Sequence, residues 1–73
     1  MATTIAIMIG TPDGARLLAF SSERDAAQAA ETILRRLPRE AVPAPVWIAC
    51  RDRSINQRLT DYLEDLQAEL VGL

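Results

Sequence analysis

The stretch TTIAIMIGTPDGARLLAFS, residues 3–21, carries the reading on which the fold turns. Its first half, Thr3 to Gly10, is rich in β-branched residues and reads as a strand. It ends in Gly10-Thr11-Pro12-Asp13-Gly14. Pro presets φ and Gly accepts a positive φ, so this segment is a turn with a mechanism. Ala15 to Ser21 then reads as a second strand. Two strands joined by a short glycine-containing connection make a β-hairpin. The first strand is apolar on both sides, with Ile5, Ile7 and Ile9 on one and Ala6 and Met8 on the other. That suits a central strand.

Outward from the hairpin, Ser22-Glu23-Arg24-Asp25 is a helix start. Ser22 caps the free amides of the first turn, and Glu23 and Asp25 suit the positive end of the helix dipole. The spacing of Ala26, Ala30, Ile33, Leu34 and Leu37 predicts a helix to about Leu37. Pro38 stops it, after Arg35 and Arg36 in the last turn. The alanines of its first half let it approach the sheet closely. Arg39 to Pro45 contains Pro43 and Pro45 and is expected to be an extended linker. Val46 to Arg51 reads as a third strand. Asp52 or Ser54 caps a second helix from Ile55 to about Val71, with Gly72 as its stop. Ile55, Leu59, Tyr62, Leu63, Leu66 and Leu70 form its apolar stripe.

The expected fold is therefore α+β: a single two-layer domain over residues 1–73, ordered β-β-α-β-α. The three-stranded sheet has order 2-1-3 with two helices on one face. The connection through the first helix is long enough for a right-handed crossover.

A chain of 73 residues makes one domain but buries only about 60% of its unfolded surface, so help from a partner chain is expected. Apolar residues at 49% and charged residues at 25% place it among globular domains rather than disordered ones. One cysteine, Cys50, cannot form an internal disulfide, and the N-terminus shows no signal-peptide pattern. Both fit a cytoplasmic protein. The longest apolar run, Ile5 to Ile9, is too short to span a membrane. A net charge of −2 does not favour nucleic acid as a partner. All eight basic residues are Arg, the usage of a GC-rich, bacterial-type gene or of selection for guanidinium chemistry.

Two helices cover one side of such a sheet and leave the other open. If the β-branched set Val46, Ile48 and Cys50 packs under the helices, Trp47 and Met8 point to the open side. Arg16 belongs at a wet edge, which assigns Leu18 and Phe20 to the open side with it. Met8, Leu18, Phe20 and Trp47 are therefore the interface candidates. Large apolar and aromatic groups flanked by Arg have the composition of an interface centre. The competing reading is that Trp47 and Phe20, two of the three aromatics, fill the domain's own core. Charge is also segregated. Asp61, Glu64, Asp65 and Glu69 follow an arginine-rich middle segment, and pairing between the two regions is one expectation.

The chemistry is mostly exclusion. No His is present, which removes the commonest general base and metal ligand. One Cys without His cannot complete a zinc site from this chain. A phosphatase-type loop at Cys50 needs an Arg where Asn56 stands, so Cys50 reads as a buried structural thiol. Gly10 to Gly14 precedes a strand and lacks the Gly-Lys-Ser/Thr end of a phosphate loop. Arg51, Arg53 and Arg58, around the start of the second helix, are the anion-binding candidates. No catalytic, cofactor or metal residues are expected. The leading expectation is a homodimeric interaction or regulatory module that binds itself or another protein. The alternative is nucleic-acid or anion binding through the arginines.

Overall fold

The computed structural model describes residues 3–72. Its elements are β1 (Ile5–Thr11), β2 (Gly14–Phe20), α1 (Glu23–Arg36), a 3-10 turn (Arg39–Ala41), β3 (Val46–Cys50) and α2 (Arg53–Gly72). The sheet order is β2-β1-β3, and β1 is antiparallel to both neighbours. β2 and β3 therefore run parallel to each other on either side of β1, with α1 carrying the chain between them. This is the expected α+β arrangement.

The hairpin closes at the Thr11–Gly14 pair, with Pro12 and Asp13 at its corner. Gly14 has φ of +123°, a region that side-chain-bearing residues avoid. The Thr11 hydroxyl donates to the Gly14 carbonyl at 2.6 Å and braces the turn. Once that pair is set, the register of the whole hairpin follows: Ile9 faces Arg16, Ile7 faces Leu18 and Ile5 faces Phe20.

Ser22 is the N-cap of α1, and its hydroxyl accepts from the Asp25 N–H at 3.3 Å. Ala26, Ala30 and Leu34 are buried along its inner face. The small side chains of Ala26 and Ala30 bring the helix down onto Ile5, Ile7 and Ile9, which are almost wholly shielded from solvent. Each such isoleucine contributes roughly 1.5–3 kcal/mol relative to exposure. Leu59, Leu63 and Leu66 of α2 complete the core, and Val46, Ile48, Cys50 and Phe20 pack at its margins.

Asp52 caps α2: its Oδ1 accepts from the N–H groups of Ser54 and Ile55 at 2.9 and 3.2 Å. The helix begins two residues earlier than the apolar stripe suggests and runs to Gly72. Tyr62 is not a core residue. It is 41% exposed at the edge of the stripe, with its hydroxyl donating to Glu31 at 2.6 Å. The segment expected to be an extended linker contains the 3-10 turn, whose backbone bonds fold Arg39–Ala41 back on themselves.

Candidate functional site

Cross-strand partners share a face of the sheet, so the register sorts every residue. Under the helices lie Ile5, Ile7 and Ile9 with Phe20, Leu18 and Arg16 on one side and Cys50, Ile48 and Val46 on the other. The opposite face carries Ala6, Met8 and Gly10 of β1, Ala15, Leu17 and Ala19 of β2, and Trp47 and Ala49 of β3. No helix among the described residues covers this second face. The shortest extent of the molecule is 15 Å, the thickness of one sheet and one helical layer.

Met8 and Trp47 thus stand on the open face, as their parity predicts. Leu18 and Phe20 do not, and neither does Arg16. Both apolar residues are half-buried against the helical layer, and Phe20 joins the core margin. Arg16 does not mark the open side. β2 is an edge strand, so Arg16 reaches water from the helical side at the strand's end. Leu17 is the residue that takes the vacated place, at 72% exposed, across Met8 from Trp47 at 55%. The turn held the missing signal, because fixing Thr11 opposite Gly14 places Leu17 opposite Met8.

The open face has relief. Leu17, Met8 and Trp47 are consecutive partners across the sheet and form one row of large side chains. The neighbouring row is Ala19, Ala6 and Ala49, all small. On the other flank Ala15 pairs with Gly10, and Pro45 lies so close that a Cβ on Gly10 would meet its Cγ at 3.3 Å. None of the eight face residues carries a formal charge. The surface is a ridge of three large groups beside an alanine trough.

On the helical side, paired polar groups tie α1 to α2. Arg58 of α2 makes a bidentate fork to Glu23 of α1, at 2.9 and 2.7 Å. Glu31 accepts from Arg35 at 2.7 Å and from Tyr62. The Arg58 hydrogen bond holds the Glu23 carboxyl below its ordinary range. The Tyr62 hydroxyl, then Arg35, does the same for Glu31, and acceptance by Glu31 pushes the Tyr62 hydroxyl up. The expected pairing of the arginine-rich segment with Asp61, Glu64, Asp65 and Glu69 does not occur within 4.0 Å among the described residues. Asp61 accepts from Gln57 at 2.9 Å instead.

Of the three anion-binding candidates, Arg58 is engaged by Glu23 and lines a groove with Arg24 rather than with Arg51 and Arg53. Arg51 and Arg53 are exposed. Cys50 is half-buried under the helices opposite Ile5. No group of three metal-ligating side chains is assembled among the described residues, and no helix among them is long and apolar enough to cross a membrane. Comparison with protein-family models, curated proteins and solved structures finds no match.

Proposed function

We propose that this chain is a small homodimeric protein-interaction or regulatory module without catalytic activity of its own, and that a second copy docks on the open sheet face. The observation that carries the reading is the uncharged ridge of Leu17, Met8 and Trp47 beside the trough of Ala19, Ala6 and Ala49. Monomers rarely leave a contiguous patch of this kind in water.

The relief argues for a second copy rather than an unrelated partner. A two-fold axis lying in the interface, parallel to the rows and level with Ile7, places each ridge over the other copy's trough. Leu17 then covers Ala19, Met8 covers Ala6 and Trp47 covers Ala49 of the second copy. Such a contact is isologous, with one patch satisfying itself twice. Large groups facing small ones let two sheets interdigitate at about 10 Å, with strands aligned within about 30°. No formal charge enters the contact, so no charge is desolvated.

Sedimentation equilibrium across a micromolar concentration series tests this. The wild-type chain is expected as a dimer and Leu17→Lys as a folded monomer. A wild-type chain that stays monomeric to high micromolar concentration contradicts the proposal. Nucleic-acid or anion binding by Arg51, Arg53 and Arg58 takes second place, because Arg58 is already engaged by Glu23.

A further inference from the structure

On the helical side of the sheet, away from the open face, a cavity of about 370 Å³ lies between the hairpin turn and the C-terminal end of α1. Its charged walls are Asp13 of the turn, Arg16 of β2 and Arg36 of α1, and Ile33 and Leu37 line it with apolar surface. Among the described residues the only ion pairs within 4.0 Å are Arg35–Glu31 and Arg58–Glu23. Asp13, Arg16 and Arg36 therefore share one cavity without neutralising one another. The threonine hydroxyls in the wall are spent, with Thr11 donating to Gly14 and Thr32 to Gln28. The two guanidinium groups are the side-chain donors left to greet a ligand.

We infer that this cavity binds a free α-amino acid with an aliphatic side chain. The signs of the wall charges decide the class. Two arginines attract a carboxylate, and a guanidinium fork matches its two oxygens. A simple carboxylate would also meet the repulsion of Asp13. A zwitterion would not, because its ammonium group answers Asp13. Ile33 and Leu37, both half-buried, offer the aliphatic group a surface. The volume falls within the usual range for small-ligand sites, roughly 300–1,000 Å³.

The test is titration of the protein with L-leucine, followed by calorimetry and by the methyl spectra of Ile33 and Leu37. Leucine is expected to bind and to shift both methyl sets. N-acetyl-leucine, which lacks the ammonium, and leucinamide, which lacks the carboxylate, are each expected to bind at least about tenfold more weakly. Asp13→Asn and Arg36→Gln are expected to weaken leucine binding by a similar factor, whereas Arg53→Gln leaves it unchanged. All three residues are exposed, so the variants keep the fold. Absence of leucine-dependent shifts at Ile33 and Leu37 overturns the inference. So does N-acetyl-leucine binding as tightly as leucine, or Asp13→Asn binding unchanged. Because the cavity lies on the face opposite the proposed dimer contact, either idea can fail without the other.

Discussion

The side-chain amide of Gln67 pairs with both backbone polar groups of Ala44: its Oε1 accepts from the Ala44 N–H at 2.6 Å and its Nε2 donates to the Ala44 carbonyl at 3.0 Å. Ala44 sits between Pro43 and Pro45, which have no N–H to offer. The Pro45 carbonyl is taken by the Gly10 N–H at 2.9 Å. One glutamine in α2 thus fastens the segment leading into β3 as a strand partner would. Gln67→Leu leaves two buried backbone groups unpaired and is expected to destabilise the fold by roughly 2–4 kcal/mol. Gln67→Glu is expected to be damaging as well, since an ionised carboxylate cannot donate to the Ala44 carbonyl. Urea denaturation of both variants checks this, and a loss below about 0.5 kcal/mol for Gln67→Leu would contradict it.

Ala26 and Ala30 set the distance between α1 and the sheet. Both are buried to the last contact beneath the helix. Ala30→Leu is expected to cost roughly 1–3 kcal/mol by overpacking, although Leu is as apolar and nearly as good a helix former. A melting temperature equal to or above that of the wild type would show that the interface has room to spare.

The ties between α1 and α2 predict the pH response. Glu23 and Glu31 both titrate lower in the fold than free glutamate does, because Arg58 holds the first and Tyr62 and Arg35 hold the second. A depressed carboxyl adds stability above its unfolded value and loses it as pH falls through the folded value. With unfolded glutamate near about 4.3, the loss begins below that pH. Tyr62 is shifted the other way, so its contribution is present below its ordinary value of about 10 and is lost as pH rises beyond it. Thermal melts from neutral pH down to about 3 should fall less steeply in the Glu23→Gln, Glu31→Gln double variant than in the wild type. Parallel curves would contradict this account of the helix pair.

Register makes neighbouring residues of β2 respond differently. Phe20→Lys places a charge at the core margin and is expected to lower stability, by roughly 2 kcal/mol or more. Leu17→Lys places the same charge on the open face and is expected to leave a stable monomer. Chemical denaturation of each, read beside its mass in solution, separates the two effects. Equal destabilisation by both would contradict the assigned faces.

What the sequence discloses follows from how strongly each residue is constrained. Element order and sheet order were legible because β1 is apolar on both sides and because Pro12, Asp13 and Gly14 name a turn. The helical face of β3 was legible from Val46, Ile48 and Cys50. The face of β2 was not, since Leu17, Leu18, Ala19 and Phe20 are apolar on either parity and an edge arginine reaches water from both. Gln67 was hidden by its polarity, although it follows the buried Leu66 and lies four residues past Leu63. The cavity joining Asp13, Arg16 and Arg36 depends on where the turn meets the end of α1, which no local pattern encodes.

Trp47 is the largest side chain on the open face. Trp47→Ala is expected to weaken dimerisation by about 2 kcal/mol, roughly thirtyfold, while leaving the monomer folded. The most direct measurement is an isotope-filtered NMR spectrum of a mixture of labelled and unlabelled chains, which detects proximity only between different copies. Contacts are expected from the Trp47 indole to the Ala49 methyl of the other copy, and from the Met8 methyl to Ala6. A spectrum without inter-chain contacts at these residues, under conditions where mass shows the concentration to be ample, would contradict the dimer contact.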